Sequence, residues 1–359
     1  MDVTQRGFLD LLGSDDVRFI IPAYQRVYSW NENQCEELWL DVLRAARADR
    51  SHFLGTVIYA REGVDEAGNE RFMVIDGQQR ITTVSLLILA LTRYMEARGI
   101  TVDGEDAATL RKKYLLANGG DCEIPRLKPS RYDQKTYRAV VEGQTPPEGS
   151  SSVTENLAFF EGRMADESFD AAQLWDGLKR LMVIEVEVEN MAAAQVIFED
   201  VNSKGARLNV ADMVRNYLLL SEDHDEQTRL YEEYWRPSQE MFAPDPGSLR
   251  LDGAIKSWLS IRLKGARIRS AEQVYSSFKR YVEDEYQGDK EPILRELRGF
   301  SLMWAENYRY HGSKKYKSGS DWAEIGAPAL TANYKLKKAD NEEYAERVRQ
   351  ELRNVDTRW

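Results

Sequence analysis

Ten consecutive residues, Val74-Ile-Asp-Gly-Gln-Gln-Arg-Ile-Thr-Thr83, turn a β-strand into an α-helix with no spacer. Residues Arg71–Ile75 read as the strand, Asp76-Gly77 ends it, and from Gln78 the apolar positions Val84, Leu87, Ile88 and Leu91 fall on one side of a helix. The region around the junction therefore has to be α+β. Gly77 permits a tight turn and the close approach of a ligand. The start of the following helix presents free backbone N–H groups and a positive dipole end, which favour an anion such as phosphate. Arg80, one turn in, can supply a charge-assisted fork. Asp76 can hold a metal ion or orient a water, and Gln78 and Gln79 can position a water or read a base or sugar. On spacing alone, the same ten residues read more readily as an ordinary strand–turn–helix junction with a helix-favouring Gln pair.

The flanking segments extend the α+β reading. Val17–Ile21 is a β-branched and aromatic run that stops at Pro22, a strand leading into the loop Pro22-Ala-Tyr-Gln-Arg-Val-Tyr-Ser-Trp30. Ser29 or Asn31 can cap the next helix, whose apolar positions are Cys35, Leu38, Trp39, Val42 and Ala46. Phe53–Ala60 is a strand containing Gly55, joined by the polar turn Arg61–Glu70 to the strand before Asp76. Residues Gly143–Ser152 have the composition of a linker or long loop. Leu181–Glu189 alternates apolar and acidic residues, as a half-exposed strand does. Helices are expected at 191–200, 210–220, 226–236, 250–263, 271–284 and 291–308. The expectation is an α+β unit over residues 1–142 followed by a mostly α-helical domain over 153–359.

Composition excludes several classes. An apolar fraction of 42% and a charged fraction of 30% over 359 residues belong to globular material rather than a disordered tail. Met1–Asp16 holds no long apolar run, so no signal peptide is expected, and Val84–Leu91 is far too short to cross a bilayer. Only Cys35 and Cys122 occur, without metal or disulfide spacing, which fits a reducing cytoplasm and no membrane partner. A net charge of −11 argues against a surface that grips phosphate backbones everywhere. The charge is uneven, however. Arg111–Arg138 holds eight Lys or Arg against three acids, and Arg262–Arg280 holds six against one. Such segments are either nucleic-acid faces or solvated helix faces.

Two further constellations stand out. The loop after Ile21 gathers Tyr24, Gln25, Arg26, Tyr28 and Trp30; Arg26 can grip a phosphate and Tyr24 or Tyr28 can stack on a base, or the aromatics simply cover the core. In Phe198–Leu208, a Ser-Lys-Gly turn joins two expected helices. Lys204 and Arg207 flank the turn and Asn202 and Ser203 can contact a ligand there, or Gly205 can serve as an ordinary left-handed corner.

Taken together, IPAYQRVYSW, HFLGTVI (His52–Ile58), VIDGQQRITT and AQVIFEDVNSKGARLNVADMVRNYLL closely resemble the N-terminal domain family of GmrSD-type modification-dependent restriction endonucleases, from about residue 15 to about residue 310. The resemblance implies a ParB/sulfiredoxin-like N-terminal unit that binds and hydrolyses a nucleoside triphosphate. It places Asp76, Gln78, Gln79 and Arg80 at the reacting nucleotide, with Gly77, Thr82, Thr83, Asn202 and Lys204 binding it. Pro22, Tyr24, Gln25, Arg26 and Tyr28 are implied beside that pocket as sensors of DNA modification. Mg²⁺ is expected at Asp76. Relatives include the effector of phosphorothioation-coupled antiphage systems, and others target glucosylated cytosine DNA. The implied partners are modified double-stranded DNA and a nuclease domain or separate nuclease, with homo-oligomerisation left open. Family members usually continue into a His-Asn-His nuclease. With only His52, His224 and His311, none in such a motif, this chain reads as a truncated or stand-alone sensor without cleavage of its own. A non-catalytic nucleotide switch and a ParB-like DNA nickase stand as alternatives.

Overall fold

A computed structural model describes residues 2–23, 25, 27–149, 151–188, 209–219, 224–241, 249–263 and 270–312. The chain divides into two units, Met1–Asp200 and Val201–Trp359. The first contains β1 (Asp2–Gly7), α1 (Phe8–Leu12), β2 (Val17–Ile20), α2 (Glu32–Ala48), β3 (His52–Val64), β4 (Glu70–Asp76), α3 (Gln78–Arg98), α4 (Ala107–Tyr114), β5 (Leu116–Asn118), β6 (Glu123–Pro125), β7 (Leu127–Lys128), α5 (Arg131–Val141), α6 (Ser152–Met164), α7 (Ala171–Lys179) and β8 (Leu181–Val188).

Six of these strands form one mixed sheet in the order β1-β8-β3-β4-β2-β7. β3 and β4 are the expected antiparallel hairpin; its turn is held by Asp65, whose carboxylate accepts from the Ala67 and Asn69 amides at 3.0 and 2.9 Å. β2 runs parallel to β4, and β8 runs parallel to β3. Phe72, Met73, Val74 and Ile75 are all buried, so both faces of β4 are covered, which explains a continuous apolar run rather than alternation. The core of this unit gathers Val57, Tyr59, Phe72 and Val74 from the sheet with residues of α1, α2, α3, α6 and α7. Helix α3 is buried almost all round, as its apolar composition requires. Each of Leu86, Leu87, Ile88, Leu89 and Leu91, fully buried, contributes about 1.5–3 kcal/mol. Of the two candidate caps for α2, Asn31 takes the role in a reciprocal box with Gln34.

The domain boundary differs from the expectation. Residues 143–149 are a loop inside the first unit, and α6, α7 and β8 beyond it belong to that unit, with β8 inserted between β1 and β3. β8 is also less open than its acidic alternation implies. Glu185 is buried because Tyr59 donates its hydroxyl to the Glu185 carboxylate at 2.8 Å and Arg6 pairs with it at 3.1 Å.

Every described element of the second unit is a helix: α8 (Val210–Leu219), α9 (His224–Leu230), a π-helical turn (Tyr231–Trp235), α10 (Arg236–Met241), α11 (Leu249–Arg262), α12 (Ala271–Tyr286) and α13 (Glu291–Gly312). Trp258, Phe278 and Phe300 are fully buried at its centre. The expected helix 191–200 lies outside the described residues. The basic segment 262–280 is partly absorbed by the fold, since Arg262 pairs with the mostly buried Glu296 and Lys279 sits over the Tyr217 and Tyr275 rings. Among the described residues no helix is long and apolar enough to cross a membrane. Cys35 is buried and Cys122 exposed, both as free thiols.

Candidate functional site

The end of β4 is irregular where the Asp-Gly pair begins. Tyr59 lies opposite Val74 but Ile58 lies opposite Asp76, so one extra residue on β4 shifts the register and re-aims Asp76. Gly77 follows with φ 94° and ψ 0°. A Cβ there would sit 3.0 Å from Val57 Cγ2 and 3.2 Å from the Thr56 carbonyl oxygen, so both the turn and the close strand contact call for glycine.

Gly77 also begins α3, and no side chain caps that end. The first intrahelical bond runs from the Ile81 amide to the Gly77 carbonyl at 3.0 Å, so the amides of Gln78, Gln79 and Arg80 precede the helical ladder. No acidic residue stands in the first turn to neutralise the dipole there. The Gln78 side chain is buried, yet its carboxamide oxygen has no hydrogen-bond partner among the described residues. A buried amide oxygen left this way costs about 1–3 kcal/mol, a cost that a bound donor would relieve.

Arg80 is aimed by three contacts. Its Nη1 donates to the Thr56 carbonyl at 2.6 Å and stands 3.8 Å from Asp76 Oδ2. Its guanidinium lies over Gly55, where a Cβ would come within 2.9 Å of both Cζ and Nε. Asp76 and Arg80 each keep about three-tenths of their side chains exposed, at 31% and 27%. A half-open carboxylate and guanidinium thus flank an uncapped helix start.

Other residues expected in the site serve the fold. Gln79 Oε1 accepts from the Ser29 and Trp30 amides at 2.9 and 3.2 Å, and its Nε2 donates to the Val27 carbonyl at 3.3 Å. Its carboxamide therefore pins the aromatic loop to α3. Thr82 and Thr83 donate back to the Gln78 and Gln79 carbonyls at 2.8 Å each. Tyr28 is buried; its hydroxyl shares a 2.7 Å bond with Thr83 and accepts from Asn156 at 2.8 Å, and burial pushes its pKa up. The Tyr28 amide donates to Asp133 at 2.7 Å, and burial raises the Asp133 carboxyl in turn. Pro22 is buried, and Gln25 Nε2 donates to the Ile75 carbonyl at 3.1 Å. The loop thus closes beside the end of β4 through Gln25 on one side and Gln79 on the other. Tyr24, Arg26, Asn202 and Lys204 lie outside the described residues.

The structure adds Gly55 and Thr56, which place Arg80, and Asp133 and Asn156, which hold Tyr28. A glycine inside an otherwise β-branched strand is a usable signal for the first pair. Asp133 and Asn156 carry none, since their partners lie more than a hundred residues away. Among the described residues no group of three or more His, Cys, Asp or Glu could hold a metal ion.

Comparison with known proteins adds one match. The family model described as the GmrSD restriction endonuclease, N-terminal domain, matches residues 8–219, more than half of the chain and all of the segments above. No curated protein matches.

Proposed function

This chain belongs to the GmrSD restriction endonuclease N-terminal domain family, which makes it part of a restriction and defence protein, and we propose that within that role it hydrolyses a nucleoside triphosphate on sensing modified DNA. The observation that carries this reading is the junction at Asp76–Arg80: an uncapped helix start, an unpartnered buried carboxamide oxygen at Gln78, and a guanidinium held over Gly55.

Each group then has a chemical task. The amides of Gln78, Gln79 and Arg80 receive phosphate oxygens at the positive end of α3. Arg80 offers its outward N–H groups to charge that develops on the transferred phosphoryl, while Thr56 fixes its direction. Asp76 accepts a proton from, or orients, the attacking water. The Gln78 carboxamide oxygen is free to accept a hydrogen bond from that water or from a ribose hydroxyl. A lone carboxylate suits Mg²⁺, which keeps most of its waters and shares phosphate oxygens; Asp76 would hold it, and bound there it would neutralise phosphate charge. The loop pinned by Gln25 and Gln79 abuts the same strand end, so a change in DNA contact at that loop reaches the site through two side chains.

Phosphate release by the purified protein tests the reading, with each common nucleoside triphosphate, alone and with plain, phosphorothioate or glucosylated duplex. Asp76→Ala and Arg80→Ala should each lower turnover by roughly 10²-fold or more. Unchanged turnover in both variants would remove the assigned site. Tight nucleotide binding without phosphate release would make the module a switch rather than an enzyme.

A further inference from the structure

The basic segment 111–138 is not a uniform solvated face. Arg126 is buried, donating to the carbonyls of Leu116, Ser14 and Val17, and Arg111 donates to the Val141 carbonyl. Three other cations meet at a small recess beside the β7 edge of the sheet: Arg18 from β2, Lys128 from β7 and Arg138 from α5, with Gln134 and an apolar floor that includes Leu127 and Tyr137. Its volume is about 50 Å³. At roughly 10–15 Å³ per water position, it admits a few waters or one tetrahedral anion, but no nucleoside.

Arg18 in particular is poorly neutralised. Its guanidinium makes no hydrogen bond among the described residues; its nearest carboxylate, Asp65, stands 3.9 Å away, and its Nε is buried without an acceptor. Asp65 is already engaged by the Ala67 and Asn69 amides and the Asn69 side chain. Burial pushes the Arg18 guanidinium below its ordinary pKa; Asp65 opposes that shift and the neighbouring charge of Arg138 adds to it. Arg138 pairs with Glu142 at 2.6 Å but remains largely exposed. A group with several acceptor oxygens and at least one negative charge would pair with the Arg18 guanidinium and bridge it to that of Arg138.

We propose that Arg18, Lys128 and Arg138 form a phosphate site for the backbone of a nucleic acid, separate from the Asp76–Arg80 junction. The separation follows from the register: Arg18 pairs with Arg71, five residues before Asp76 along β4. That places the two sites roughly 17 Å apart at about 3.3 Å per residue. A backbone phosphate is favoured over a free nucleotide because the recess has no room for a base or sugar. The proposal rests on the reading of this module as DNA-sensing, and it concerns positioning on the duplex rather than recognition of the modification.

The test is a salt series of fluorescence anisotropy with a labelled unmodified duplex of 20 base pairs. It compares the natural protein, the double variant Lys128→Gln/Arg138→Gln, and Arg18→Gln, with thermal melts to confirm folding. Each lost phosphate contact should weaken binding about eightfold at 0.1 M salt and flatten the slope of log K against log salt by about 0.9. Phosphate release without DNA should be unchanged in the double variant. Equal affinity and slope in natural protein and variants would overturn this site while leaving the nucleotide reading intact. If the natural protein binds no duplex, both this site and DNA sensing fail. If inorganic phosphate protects the natural protein against heat, the variants lose that protection and duplex binding is unchanged, the site belongs to a free anion and the nucleic-acid assignment falls.

Discussion

Replacing Gly55 by alanine separates the placement of Arg80 from the stability of the sheet. The added methyl would lie 2.9 Å from Arg80 Cζ and Nε and 3.1 Å from Nη2, so the guanidinium has to retreat by roughly 0.5–1 Å to reach ordinary contact. That movement stretches the 2.6 Å bond to the Thr56 carbonyl and withdraws the charge from beside Asp76. Gly55 also has φ +123°, where alanine costs about 1–3 kcal/mol. For a unit of this size, that lowers the melting temperature by about 2–12 °C. A misplacement of about 1 Å in a group that meets developing charge costs roughly 10²-fold in rate. Gly68→Ala is the matched control. Its φ is +92°, so the backbone cost is of the same kind, but nothing lies within 4 Å of the added methyl. Melting curves and phosphate-release rates should therefore fall together for Gly55→Ala, while Gly68→Ala melts earlier and turns over normally. If the two variants lose stability alike and keep equal turnover, the position of Arg80 over Gly55 has no part in the chemistry.

Two other perturbations test the fold around the site and in the helical unit. Gln79→Leu removes the acceptor of the Ser29 and Trp30 amides and the donor to Val27, so urea unfolding should show a loss of about 1–3 kcal/mol. Gln79→Glu keeps the two acceptor bonds and should recover part of that loss; equal midpoints for all three proteins would show that the loop is not pinned there. In the second unit, burial raises the Asp252 carboxyl from 3.8 to about 6, against the opposing hydrogen bond from the Ala211 amide at 2.6 Å. The folded state then takes up this proton before the unfolded state as pH falls. The unit should gain stability from pH 6 down to about pH 4, and Asp252→Asn should flatten that part of a stability–pH curve. An identical slope in the variant would count against the shift.

The DGQQR junction is legible in the sequence because its logic is local. A strand signal, one glycine and a helix signal follow one another within ten residues, and each carries its own backbone preference. The hairpin of β3 and β4 is legible for the same reason, whereas only the structure chooses Asn31 over Ser29 as the cap of α2. The division of labour inside the motif is not. Gln78 and Gln79 are adjacent and chemically identical, yet one holds a loop some fifty residues upstream while the other leaves its oxygen unpartnered. Only the path of residues 27–30 over α3 makes them different. Likewise Tyr28 reads as available for stacking, but Asn156 from α6 and Thr83 from α3 enclose its hydroxyl.

Local order along the chain determined the strands and helices on either side of the junction, the glycine at the helix start and the family to which these segments point. Tertiary structure decided that β8 completes the first sheet, that Glu185 lies buried between Tyr59 and Arg6, and that Arg18 meets Lys128 and Arg138. The physical reason is range. Backbone preferences act over a few residues and are written in consecutive letters. Strand pairing, burial of a charge and convergence of cations depend on which distant segments the packed core brings together.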